Sequence, residues 1–261
     1  MKSLTLVALL LTTTLGAEAQ IKQTPYLSNG ELTHTGKTIK LTVSSPRPME
    51  QAVSTIRQEY GLILDYEEGA PPKSRKPRSA PYGPDPRGGA YIIRIPELPS
   101  TDLKEEIRFL NRMLREFAKQ GLRGFSIFPA PNHGLTIAPS RKSQRFLDTP
   151  IAIERRKRTF NETIETILSE LSRDTGPEIG RGGIVTGIDQ ANVLVGGPIP
   201  TPAREFLAQA LDAVASEQFW ILNWDPGMNA YGIAIQTVVS RGQVALQLTL
   251  VRASERSGHS R

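Results

Sequence analysis

Apolar positions along this chain recur at two periods, one helical and one extended, and the two alternate. The change is clearest in residues 197–235. Leu207, Ala210, Leu211 and Val214 fall on one helical face. Phe219, Trp220, Ile221, Leu222 and Trp224 then form an aromatic and branched run that stops at Asp225-Pro226-Gly227. After the turn, Tyr231, Ile233 and Ile235 alternate with Gly232 and Ala234. The spacing predicts helix, strand, turn, strand. Thr201 is expected to cap the helix with Pro202 as its first residue, where a missing N–H costs nothing.

The same syntax recurs upstream. Ile39, Leu41 and Val43 share one face of a strand, and Met49, Ala52, Val53, Ile56 and Tyr60 share one face of a helix that Gly61 ends. A return strand follows at 62–66. Residues 91–95 predict another strand, Asp102 with Glu105 a helix start, and Leu103, Ile107, Leu110, Leu114 and Phe117 its apolar face. Residues 125–128 and 135–137 read as hairpin partners. Residues 150–153 predict a strand, Thr159 with Glu162 a capping box, and Ile164, Ile167, Leu168 and Leu171 the next helical face. Residues 193–195 read as a strand, and Val244, Leu246, Leu248 and Leu250 as the inward face of the last one.

These elements predict an α+β fold of repeated β-α-β-β-α-β units, with helices packed on one face of antiparallel or mixed sheets. Residues 20–36 show no sustained period and read as an N-terminal arm. Residues 37–140 form a first module, interrupted at 67–89 by a flexible insertion rich in proline, arginine and lysine. Residues 146–252 form a second module, and 253–261 a disordered tail. Whether the two modules share one sheet is left open by the pattern.

Composition narrows the setting. Lys2, an apolar run at 4–11 and Ala17-Glu18-Ala19 have the layout of a secretory signal peptide over residues 1–19, with cleavage expected between Ala19 and Gln20. The apolar run is too short to span a bilayer, so the expectation is an exported protein, periplasmic or extracellular, soluble once the leader is removed. Cysteine is absent. That excludes disulfides, thiolate metal sites, thiol nucleophiles and a cysteine-linked lipid anchor. The net charge of +6 is compatible with an anionic partner.

Candidate chemistry is sparse. The three histidines, His34, His133 and His259, are scattered without metal-ligand spacing, and neither a cofactor nor a metal site is expected. Asp65, Glu67 and Glu68 stand at a strand end beside the insertion. There they read either as solvated acids or, with His133, as the groups of a secreted hydrolase. Gly180-Arg181-Gly182-Gly183 lacks the ending of a phosphate-binding loop and reads as a turn. The sharpest charge cluster is Arg155-Arg156-Lys157-Arg158, placed just before a capped helix. It reads as a patch for an anionic partner or, if strand alternation splits it, as solvated charge. Export turns the anionic-partner reading away from nucleic acid and toward another envelope protein or an anionic glycan or lipid surface.

Pro48-Met49-Glu50-Gln51-Ala52-Val53 through Tyr60-Gly61 and Asp65-Tyr66-Glu67 form the first part of a wider pattern. Leu147-Asp148-Thr149-Pro150-Ile151 through Arg158-Thr159, then Pro202-Ala203-Arg204 through Trp220, Asp225-Pro226-Gly227 and Tyr231, continue it. In this pattern the chain resembles a family of uncharacterised exported bacterial proteins of unknown function. Its single units are similar to the short β-α-β N-terminal modules of secretins and TonB-dependent proteins. The first resemblance implies export and no particular activity; the second implies an interaction domain. Together they make a non-enzymatic interaction or structural protein of the bacterial envelope the expected function, with the secreted hydrolase as the competing class.

Overall fold

The computed structural model describes residues 30–44, 46–69, 89–100, 102–130, 134–175, 179–182, 188, 190–214, 218–225 and 230–237. Ala19, Gln20, His133 and the expected strand at 244–250 lie outside these residues, as does most of the 67–89 insertion.

The elements follow the alternation of periods. Strands β1 (Glu31–Thr35) and β2 (Thr38–Ser44) lead into helix α1 (Pro48–Tyr60) and strand β3 (Leu64–Glu67). Strand β4 (Ala90–Pro96), helix α2 (Leu103–Lys119) and strands β5 (Phe125–Ala130) and β6 (Gly134–Pro139) follow. After two 3-10 turns come β7 (Pro150–Ile151), β8 (Arg156–Thr159), α3 (Phe160–Thr175) and β9 (Ile179–Gly182). The chain continues through β10 (Asn192–Val195), β11 (Thr201–Pro202), α4 (Ala203–Val214), β12 (Gln218–Asp225) and β13 (Ala230–Thr237). This is an α+β protein with mixed and antiparallel sheets.

The central sheet is six-stranded, in the order β5-β6-β3-β12-β13-β9. Its middle is a parallel pairing of β3 with β12, in which Tyr66 lies opposite Ile221 and Glu67 opposite Leu222. Strands expected in different modules are therefore neighbours in one sheet. Alternation along β12 then builds two cores. Phe219 and Ile221 join the first, with Leu64 and Tyr66 of β3, the apolar faces of α1 and α2, and the antiparallel sheet β1-β2-β4. Trp220 and Leu222 join the second, with Tyr231, Ile233 and Ile235 of β13 and the faces of α3 and α4.

Helix ends match their sequence signals in three places. Gly61 takes φ 67° and closes α1 with its N–H on the Arg57 carbonyl. Asp102 accepts the Glu105 N–H at 3.0 Å. Thr159 and Glu162 exchange the reciprocal bonds of a capping box.

Several expectations are corrected. Thr201 does not cap α4: it pairs with Ile151 as Thr201–Pro202, and the first helical amide, Ala203 N–H, is taken by the Thr149 carbonyl at 3.1 Å. Of the expected 150–153 strand, only Pro150–Ile151 pairs. The arm at 20–36 contains a strand, because β1 pairs with all of Thr38–Leu41 and with Thr42. Only Leu32 of β1 packs on the core, so no alternation betrays it. Gly180-Arg181-Gly182 runs as an edge strand beside β13 rather than as a turn. On α2 the buried positions are Phe109, Leu110, Met113 and Phe117, while Leu103 is exposed.

Candidate functional site

The acids at the end of β3 are the first candidates, and the fold buries them. Asp65, Glu67 and Glu68 are each at most 1% exposed, so the solvated reading does not hold. Asp65 Oδ1 accepts the Trp220 N–H at 3.0 Å and its Oδ2 accepts from Thr136 at 3.3 Å. The Asp65 side chain thus serves the β12 amide just before the first paired positions of β3 and β12.

Glu67 accepts the Leu147 N–H at 3.0 Å through one oxygen and the Arg204 guanidinium at 2.7 Å through the other. Arg204 also reaches Asp148 at 2.7 Å, and Asp148 is paired with Arg145 at 2.9 Å. One arginine at the start of α4 therefore binds acids from β3 and from the turn before β7. Burial pushes the Glu67 carboxyl above its ordinary value, against the pull of Arg204 and the Leu147 amide. Burial likewise raises the Tyr231 phenol, with Glu67 and Glu68 adding to it.

A second set of charges lies under α1. Arg47 meets Glu68 at 3.1 Å, and Glu50 accepts from Asn223 of β12 at 3.0 Å. Arg57 donates to the Leu64 carbonyl at 3.1 Å through Nε and stacks its guanidinium 3.3 Å from the centre of the Phe219 ring. Burial drives its pKa down to about 9, opposed by Asp65 and Glu50. Burial raises the Glu50 carboxyl, opposed by Arg47. The internal charge is therefore concentrated where β3 and β12 meet, and it stitches α1, α4 and the central sheet together.

Sequence reasoning missed Arg204, Arg57 and Glu50 as members of this cluster, although the resemblance drew on segments holding Glu50 and Arg204. The pattern on α1 carries no signal for them. Glu50 and Arg57 stand one heptad apart beside the core positions Met49 and Ile56. Arg108 and Arg115 of α2 have the same spacing beside Phe109 and Leu114 and are exposed.

The cationic run Arg155-Arg156-Lys157-Arg158 lies at β8, which pairs antiparallel with β10. The strand splits it. Arg155, Arg156 and Lys157 are exposed, whereas Arg158 is 7% exposed and donates to the Glu154 carbonyl at 3.0 Å. Burial, and then Arg156, lowers the Arg158 pKa. Beside these cations, the first turns of α3 contribute Asn161, Glu162, Glu165 and Thr166 to a shallow depression of about 480 Å³. The Glu162 carboxyl is held below its ordinary value, chiefly by the Thr159 N–H.

The remaining candidates are dispersed. His34 lies between Glu59 at 2.9 Å and Glu97 at 3.1 Å on the exposed edge of the smaller sheet. Among the described residues, no group of three or more His, Asp or Glu side chains is arranged to hold a metal ion, and no helix is long and apolar enough to cross a membrane. No protein-family model, no curated protein and no solved structure matches this chain.

Proposed function

We propose that this is an exported, non-enzymatic interaction or structural protein of the bacterial envelope, which meets its partner through the cationic run Arg155-Arg156-Lys157-Arg158 at β8. The observation that carries the reading is the contrast between the two charged regions. The acids suited to hydrolysis already have internal partners: Asp65 has the Trp220 amide and Thr136, and Glu67 has the Leu147 amide and Arg204. Such carboxylates hold elements together. Arg155, Arg156 and Lys157, in contrast, are three consecutive exposed cations at β8.

The resemblance to exported proteins and to envelope interaction modules supports the same reading, as does the leader-like sequence before Gln20. Two measurements test it. Mass spectrometry of the chain recovered from the periplasm or medium is expected to find Gln20 at the N-terminus; an uncleaved cytoplasmic chain overturns the export part. In retention on native envelope fractions, raising salt is expected to release the protein. The triple variant Arg155→Gln, Arg156→Gln, Lys157→Gln is expected to bind more weakly. Retention indifferent to both overturns the role of the cationic run.

A further inference from the structure

We propose that the outer edge of β4 is a pairing surface for a second copy of this chain, and that the Gln120 side chain holds it closed. Among the described residues β4 pairs with β2 alone, so its other side is a sheet edge. Its backbone groups alternate in direction. The Glu97 N–H, just past the strand, donates to the Lys37 carbonyl on the β2 side. Ile92 turns the other way. Its N–H donates to Gln120 Oε1 at 3.2 Å, and its carbonyl accepts from Gln120 Nε2 at 2.6 Å. Ala90 and Arg94, two positions to either side, face outward with it.

Gln120 stands at the end of α2, and its amide offers a donor and an acceptor to a single residue, as the backbone of a neighbouring strand would. The rest of the edge is blunted by other means. Pro96 has no N–H to give, and Arg94 brings an exposed charge. Ile92 has neither protection. Its side chain points away from the core and is 43% exposed, and it is the residue whose backbone Gln120 covers. A second copy fits this edge in one register. Antiparallel about a twofold axis at Ile92, each Ile92 lies opposite the other, and Ala90 lies opposite Arg94. All three outward residues then exchange bonds, and Pro96 is not asked to donate. The two Ile92 side chains bury each other, and no like charges face across the seam. Centring the pair on Arg94 would set two guanidinium groups against each other.

The experiment is sedimentation velocity of the full chain across a concentration series, with circular dichroism verifying the fold of each variant. Gln120→Met keeps the length of the side chain and Gln120→Ala shortens it; both remove the donor and the acceptor, so either serves if the other fails to fold. The wild type is expected to stay monomeric. The variants are expected to dimerise at least about tenfold more tightly, because neither copy first breaks its Gln120 bonds. Adding Ile92→Lys sets two cations opposite each other and is expected to restore the monomer. Amide hydrogen exchange over residues 90–96 is expected to slow in the dimer, as strand pairing requires and contact through side chains alone does not. Gln120 variants that stay monomeric overturn the proposal, as does a wild type that dimerises as tightly as they do. Dimers indifferent to Ile92→Lys, or with unchanged exchange over 90–96, place the contact elsewhere and overturn it too. Growth past the dimer overturns the twofold register.

Discussion

The internal charge turns on the Glu67–Arg204 pair. A buried ion pair adds little over a well-packed apolar pair, but removing one partner strands the other. Arg204→Met is therefore expected to destabilise the protein by about 3–5 kcal/mol near pH 8, as read by urea unfolding. The sign with pH follows from burial, which raises the folded pKa of Glu67 above its ordinary value of 4.5. Stability from its protonation is full below that value and is lost as pH rises through the raised folded pKa. Without Arg204 the loss deepens, so the deficit of Arg204→Met should shrink toward pH 4.5 and should be largely relieved by adding Glu67→Gln. A deficit equal at both pH values would show that Arg204 acts through packing alone. None of this pairing is legible around Glu67 itself, because its partner stands 137 positions away in sequence. Position at a strand end looks the same whether the acid faces water or an arginine.

At the scale of the elements, local signals hold where the interaction is local. The capping box at α3 involves residues three apart, so the sequence displays it in full. Thr159→Ala is expected to lower Tm by about 2–4 °C in calorimetry, and an unchanged Tm would mean that Glu162 alone holds the first turn. Gly134, at the start of β6, is decided by tertiary contact. Its φ is +115°, and a Cβ there would stand 2.5 Å from the Ile63 carbonyl oxygen. Gly134→Ala should cost more than about 1 kcal/mol in urea unfolding; a neutral result would mean that the β3 and β6 approach relaxes freely. The strand β1 escaped the pattern for the opposite reason. Edge strands bury one side thinly, and Leu32 alone of its residues reaches the core. At the opening of α4, Thr201 and Pro202 have the chemistry of a helix start, whereas pairing with Pro150–Ile151 claims them for a ribbon.

For the whole molecule, the consequence of a shared central sheet is cooperativity. Phe219 and Ile221 feed one core, and Trp220 and Leu222 the other, from a single strand. A substitution in the second core should therefore weaken both. Leu211→Ala is expected to lose about 2–5 kcal/mol, with tryptophan fluorescence and far-ultraviolet circular dichroism moving to one common, lower midpoint. Two separated midpoints would show that the halves unfold independently despite the shared strand.

The sequence by itself determined the α+β class, most strands and helices, the caps at Asp102 and Thr159, the stop at Gly61, and the core face of β13. Each of these rests on residues within a few positions of one another, where period and side-chain chemistry suffice. Tertiary structure decided that β3 and β12 are neighbours, that Asp65 and Glu67 are internal ion and hydrogen-bond partners, and that Arg158 turns inward while Arg155, Arg156 and Lys157 stay out. These depend on which distant segment covers a given face, and hydrophobic periodicity says only that a face is covered, not by what.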